Sequence, residues 1–342
     1  MKVLITGGAG FIGCNTAKRF LERGDEVMVL DNLSRHRALI ANIRWLEEMR
    51  GWFHFVEGDI RDYGLLRDLF HEHGFDAVIH LAAQTAVTTS VVDPRLDFET
   101  NALGTFNLLE AVRETKRDPA IVYASTNKVY GGMDDVSIVE QNGRYEYANL
   151  PGGVPESRPL DFHSPYGCSK GAADQYVIDY SRIYGLRTVT FRQSCIYGTR
   201  QFGMEDQGWV AWFTIAAVLG KPIVFYGDGK QMRDVLFIDD LVDLYELACA
   251  DIDSYVGHVF NVGGGPHNCM SLRESMAMLE ESIGRPIPYS LAEWRPGDQQ
   301  VFVCDISKAR AAFGWEPRVS PEVGIKKLYE WVVDNQSLFA DS

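Results

Sequence analysis

Short runs of four to six apolar residues alternate with longer segments whose apolar positions recur every three to four residues through the first half of the chain. The short runs predict strands over 2–6, 26–30, 52–56, 77–80, 120–124 and 188–192. The periodic segments predict helices over 11–23, 38–49, 63–73 and 98–115, with another opening at Ser164, where Ser164 can cap and Pro165 suits the first helical position. Repeated strand–helix units imply a doubly wound parallel sheet whose ligands gather at the carboxyl ends of its strands. Past residue 198 the alternation lapses: a helix over 208–219, a short strand over 223–225, a turn at 227–230 and a strand entering a helix over 233–240 follow. A strand over 259–262 is expected to rejoin the main sheet, and helices over 272–282 and 321–334 remain. The expected division is therefore 1–193 plus about 235–262 for the large sheet, and about 194–234 with 263–342 for a smaller α/β carboxyl-terminal domain. The aperiodic stretch 131–163, with Tyr145, Tyr147 and Phe162, is expected to form an ordered cover.

The turn after the first strand, Gly7-Gly8-Ala9-Gly10-Phe11-Ile12-Gly13, stands between that strand and a helix, and the second strand ends in Asp31. Strand, glycine turn, helix, strand and acid in this order are the Rossmann-type dinucleotide fingerprint. Gly7 permits the turn, Gly10 lets the backbone approach a pyrophosphate, and Gly13 allows helix and strand to pack closely. Asp31 would accept from ribose hydroxyls and repel a 2′-phosphate, favouring NAD over NADP, while Arg35 and Arg37 could instead neutralise such a phosphate or simply be solvated. Asp59, also at a strand end, could take the adenine amino group or cap the next helix. Ala82 and Ala83 are small enough for a cofactor to lie close to the backbone.

Charge and cysteine content narrow the partners. The 342 residues carry a formal net charge of −14, which disfavours nucleic acid and anionic membrane surfaces and requires local arginine or lysine for any anionic substrate. Six scattered cysteines without metal-type spacing point to reduced thiols, a cytoplasmic setting and no bound metal. Neither a signal peptide nor a bilayer-length apolar run is discernible.

Tyr166 and Lys170 stand four apart and project from one helix face. A phenol titrates near pH ~10 in water, and a neighbouring ammonium favours its ionised form, so the pair suits proton transfer. With the glycine turn, Asp31 and Thr126, the pair resembles the extended short-chain dehydrogenase/reductase family acting on nucleotide sugars, over essentially the full length. The blocks Ser125-Thr126-Asn127-Lys128-Val129-Tyr130, Asp161 to Tyr176 and Asp206-Gln207-Gly208-Trp209 are similar to the branch that epimerises C2 of CDP-linked hexoses.

That resemblance implies tightly bound NAD and a catalytic set of Thr126, Tyr166 and Lys170. Around the cofactor it implies Gly7, Gly10, Phe11, Ile12, Gly13, Asp31, Asn32, Ser34, Arg35, Asp59, Ile60, Leu81, Ala82, Ala83, Gln84, Ser125, Tyr166, Lys170 and Gln193, with Lys170 on the nicotinamide ribose. For the CDP-sugar it implies Thr126, Asn127, Gln201, Gln207, Trp209, Arg233, Arg295 and Asp298. Arg233 and Arg295 match the arginines that clamp the diphosphate, a task suited to a guanidinium fork, although ion pairs with Asp234 or Asp298 are the alternative. Cys195 falls where relatives often carry Asn, and His163 is read as structural as readily as functional.

Dehydratases of the family place a carboxylate directly after the catalytic Ser or Thr. Here Asn127 and Lys128 occupy those positions, which favours epimerisation. A UDP-hexose 4-epimerase is the first alternative; a nucleotide-sugar dehydratase drawing its carboxylate from Glu140 or Glu146, and a non-catalytic NAD-binding regulator, are the others. The resemblance also implies a homodimer or homotetramer.

Overall fold

The computed structural model describes residues 1–34, 37–295 and 298–339. From the amino terminus, β1 (Lys2–Thr6), α1 (Phe11–Glu22), β2 (Glu26–Asp31), α2 (Arg37–Glu47), β3 (Trp52–Glu57), α3 (Tyr63–Glu72) and β4 (Ala77–His80) keep the expected alternation. Two short helices, α4 (Val87–Val92) and α5 (Pro94–Phe98), lead through a π-turn at Glu99–Leu103 into α6 (Gly104–Thr115) and β5 (Ala120–Thr126). The single helix expected over 98–115 is thus interrupted. A hairpin, β6 (Ile138–Gln141) with β7 (Arg144–Tyr147), precedes the long helix α7 (Ser164–Tyr184) and β8 (Thr188–Gln193). Next come β9 (Cys195–Tyr197), α8 (Trp209–Leu219), β10 (Val224–Tyr226), β11 (Met232–Phe237), α9 (Ile238–Ala250) and β12 (His258–Val262). The remainder is β13 (Cys269–Ser271), α10 (Leu272–Ile283), β14 (Ser290–Ala292), β15 (Val301–Phe302), α11 (Ser307–Phe313) and α12 (Pro321–Asp334).

Seven strands form one sheet in the order β12-β8-β5-β4-β1-β2-β3, with parallel pairing at β1–β2, β1–β4, β2–β3 and β4–β5. Chain direction across the sheet reverses between β1 and β4, so their carboxyl ends mark the switch point where such sheets bind ligands. Strands buried on both faces need continuous apolar runs, and Val3, Leu4, Ile5, Val78 and Ile79 all have no exposure. One face carries Leu4, Met28, Val78 and Ile121 beneath Leu66 and Phe70 of α3, Leu108 and Val112 of α6, and Ala173 and Val177 of α7. No described helix is long and apolar enough to cross a membrane.

The chain divides into two units: Met1–Val129, Phe162–Arg192 and Val242–Phe260 make the first, and Tyr130–Asp161, Gln193–Leu241 and Asn261–Ser342 the second. The stretch 130–161 falls in the second unit because its hydrogen bonds lie there. The Tyr145 N–H donates to the Lys230 carbonyl at 3.1 Å, and Val154 bridges to Cys304. Within the second unit β11 pairs with β13, β15 and β9, and β10 pairs with β14. Helix α8 is apolar almost all round, with Val210, Phe213 and Ile215 buried, and it packs against α12.

Candidate active site

The glycine turn is packed tightly against neighbouring backbone. Gly7 has φ +68°, and a β-carbon there would come within 2.7 Å of the Ala82 nitrogen, so the β1 and β4 loops meet at van der Waals contact. At Gly13 a β-carbon would lie 2.3 Å from the Gly7 carbonyl oxygen. Gly10 stands at the N-cap of α1 and no side chain caps that end. By helix geometry, the N–H groups of Phe11, Ile12 and Gly13 are left for an external acceptor, and the dipole makes that acceptor an anion.

Asp31 ends β2 with its carboxylate buried. Its two oxygens accept from the N–H groups of Ala9 (3.2 Å) and Leu33 (2.9 Å), and burial pushes its pKa upward against those bonds. An oriented carboxylate beside an uncapped helix start is the donor–acceptor set that an adenosine ribose and pyrophosphate require, so the residues present fit a dinucleotide. Arg35 lies outside the described residues.

Asp59 does not cap the following helix. Asp62 does so, accepting from the Leu65 N–H at 3.0 Å. The Asp59 carboxylate instead receives the Arg61 guanidinium (2.8 and 3.0 Å) and the Asn32 amide (2.8 Å). Against a burial that would raise it, those partners hold its pKa down at about 2. Arg61 was missed in the sequence; an acid followed two residues later by arginine was the available signal. Ser34 donates its N–H to Asn32 Oδ1, while Ile60 turns its side chain into the core against Gly104. The Gln84 amide is committed to Ala86 and Asp97, so it frames the site and does not face a ligand.

Helix α7 begins at Ser164, whose Oγ accepts from the Gly167 N–H at 3.3 Å and so satisfies one donor of the first turn. Tyr166 and Lys170 are both buried there, and the Tyr166 phenol is hydrogen-bonded to Thr126. Lys170 Nζ donates to the Ala124 carbonyl at 2.7 Å and lies 4.4 Å from the Tyr123 ring centre. Burial pushes Tyr166 up to about 12, opposed by the Thr126 hydrogen bond, and brings Lys170 down to about 7 against the charges of Asp174 and Asp97. In this arrangement the Lys170 amine is held by the Ala124 carbonyl.

Two polar networks hold these groups in place, and neither was read from the sequence. In the π-turn, Asn101 donates to the Gln84 carbonyl, Asp97 and Ser169 Oγ, locking the turn to α7 one residue before Lys170. Behind it, Asp174 pairs with Arg192 through two hydrogen bonds (2.9 and 3.0 Å) and accepts from Ser125 Oγ at 2.6 Å, so Ser125 anchors β5 to α7.

His80 is fully enclosed between the hydroxyls of Thr6 (2.6 Å) and Thr105 (3.0 Å), and burial with the Lys170 charge lowers its pKa to about 3. In the unfolded chain the imidazole titrates near 6.5, so between pH 6.5 and 3 the unfolded state holds a proton the folded state does not. Stability should fall as pH drops through that window, by up to about 1.4 kcal/mol per pH unit. In His80→Gln this contribution to the acid limb should vanish; an unchanged slope in urea titrations from pH 6.5 to 4 would refute it.

In the second unit Arg233 donates to Asp298 at 2.7 Å. Arg295 stacks 3.9 Å from the Tyr226 ring centre and reaches Asp206 (3.0 Å) and the Glu205 carbonyl (3.2 Å). Both expected clamp arginines thus carry carboxylate partners, Asp298 and Asp206; Asp234 is not one of them. Trp209 opens α8 and donates its indole N–H to Cys195, Gln201 donates to the Ile196 carbonyl, and Gln207 bridges to Met204. Gln193 ends β8, buried, and Asn127 Oδ1 lies 3.3 Å from Thr126 Oγ1. Among the described residues no cluster of three or more histidine, cysteine or acidic groups could hold a metal.

A family model described as GDP-mannose 4,6 dehydratase matches residues 4–328. The chain is 47% identical over 336 residues to a CDP-paratose 2-epimerase of Salmonella typhi, covering 97% of this chain and 99% of the relative. Among solved structures, the UDP-glucose 4-epimerase of Thermotoga maritima with UDP-glucose superposes at TM-score 0.84 with 31% identity, over 98% of this chain and 100% of that one. The Thermus thermophilus UDP-glucose 4-epimerase in complex with NAD gives 0.81 and 33%, with each chain covered in full. A switch point carrying the glycine turn and Asp31, a buried Tyr166–Lys170 helix and these likenesses converge: the chain belongs to the extended short-chain dehydrogenase/reductase family, through its GDP-mannose 4,6 dehydratase group.

Proposed function

We propose that the protein is an NAD-dependent epimerase that inverts C2 of a CDP-linked hexose, interconverting CDP-paratose and CDP-tyvelose or their hydroxylated counterparts. The observation that carries this reading is near-complete coverage at 47% identity by a CDP-paratose 2-epimerase, in a chain where Thr126, Tyr166 and Lys170 share one buried neighbourhood. The nicotinamide would supply reversible hydride acceptance, which at a secondary alcohol carbon erases a configuration and allows it to be rebuilt from the other face. The phosphates would sit on the Phe11, Ile12 and Gly13 N–H groups and the ribose on Asp31.

Tyr166 takes the proton of the reacting hydroxyl and returns it, and Thr126 holds that oxygen in line. Lys170 would hold the ribose hydroxyls of the dinucleotide and, released from Ala124, its charge would favour the ionised phenol. Arg233 and Arg295 exchange their carboxylate partners for the diphosphate. Asn127 and Lys128 follow Thr126 where family dehydratases carry a carboxylate, which favours epimerisation over elimination. Proton and hydride both return to the sugar, so no net redox occurs. The family also suggests a homodimer or a homotetramer.

Turnover of C2-deuterated CDP-paratose is expected to show a primary isotope effect with the label kept at C2 of the product, followed by NMR. Loss of label to solvent without an isotope effect would defeat the mechanism. Epimerisation of UDP-glucose at C4, with CDP-sugars untouched, would move the assignment to a 4-epimerase.

A further inference from the structure

We infer that β7 is a strap whose Tyr145 and Tyr147 position the two arginines for the substrate diphosphate. The inference rests on the reading of Arg233 and Arg295 given above and extends it to two residues behind them. Residues two apart on a strand share a face, and these two phenols reach different segments of the second unit. Tyr145 donates to Asp228 at 2.7 Å, and its ring centre stands 6.5 Å from that of Trp294. Trp294 in turn lies against Gly227, where a β-carbon would come within 2.7 Å of the indole, and it directly precedes Arg295. The Gly227 N–H donates to Ala292, joining the turn to β14. Tyr145 thus grips the turn and the Trp294 segment together, and Arg295 emerges from that segment onto Tyr226.

Tyr147 donates to the Val301 carbonyl at 3.0 Å. Val301 pairs with Met232 and Phe302 with Arg233, so this bond presses β15 against the strand that carries Arg233, and Asp298 enters just before it. Lys230 closes the other edge of the hairpin on Glu140 at 2.6 Å. Three segments that carry or flank the clamp, the 227–230 turn, the Trp294 segment and β15, are therefore held by one strand of the hairpin. Tyr145 and Tyr147 are positioning residues; neither reaches reacting atoms.

The test is the double variant Tyr145→Phe/Tyr147→Phe, which keeps both rings and removes both hydrogen bonds. Calorimetric titration with CDP, and separately with UDP and dTDP, should show affinity lowered about five- to tenfold for whichever diphosphate the wild type binds. KM should rise by the same factor, with kcat and bound NAD unchanged. Asp228→Asn keeps an acceptor for Tyr145 and should bind as the wild type does. If the double variant melts before assay temperature, Tyr145→Phe alone should give about threefold. Unaltered affinity, or a fall in kcat at constant KM, overturns the strap. A wild type that binds UDP or dTDP but not CDP ends the cytidine assignment and leaves the strap standing or falling on the same ratio. A wild type that binds none of the three ends both.

Discussion

Replacing Tyr166 by phenylalanine should lower kcat by about a thousandfold, within the range general acid–base groups supply, while the protein stays folded and keeps its dinucleotide. The ring is buried and the substitution retains it, so packing of α7 is conserved; what disappears is one oxygen and its hydrogen bond to Thr126. The seat proposed for the pyrophosphate and adenosine ribose is elsewhere, on the uncapped start of α1 and on Asp31. With burial pushing the phenol up to about 12, the hydroxyl is neutral at rest, and the group must be recruited for each proton transfer. Single-turnover assays on purified variant with its nucleotide content measured would decide. Activity within about threefold of the wild type, with NAD bound, would remove Tyr166 from the chemistry.

Asp174→Ala should be the most damaging change to stability in the first unit, about 3–5 kcal/mol in denaturant unfolding. The carboxylate has no exposure and faces Arg192, which is 5% exposed, so truncation strands a guanidinium in the interior. Ser125 loses its acceptor at the same stroke, at the end of the strand that delivers Thr126. Asp174→Asn keeps an oxygen for Ser125 and should fall between the two. A loss below about 1 kcal/mol for the alanine variant would mean that water or a backbone shift reaches Arg192.

What could be read in the sequence is what lies close together along the chain. The glycine turn, Asp31 and the Tyr166–Lys170 spacing each sit within one strand–helix unit, and the parallel sheet follows from the alternation of those units. Side-chain direction at a strand end was less legible: Ile60, Gln84 and Ser125 stand at the expected positions, but their side chains serve the core and the networks beneath it. The hairpin was hidden because its partners are remote, Asp228 lying 83 residues from Tyr145 and Val301 154 from Tyr147. Lysine next to phenol looked sufficient to activate it, yet the nearer Ala124 carbonyl claims the ammonium.

The first unit draws on three separated pieces of the chain, and its edge strand β12 is made only after residue 257. A ribosome that has released the first 192 residues has therefore produced a sheet whose outer strand, β8, is buried along its whole length in the finished fold and is still unpaired on one side. Until some 65 further residues emerge, that edge is a template for any other nascent strand. The interval should make yield sensitive to synthesis speed and chaperone supply, and no single cut in the gene can free either half as a self-sufficient piece.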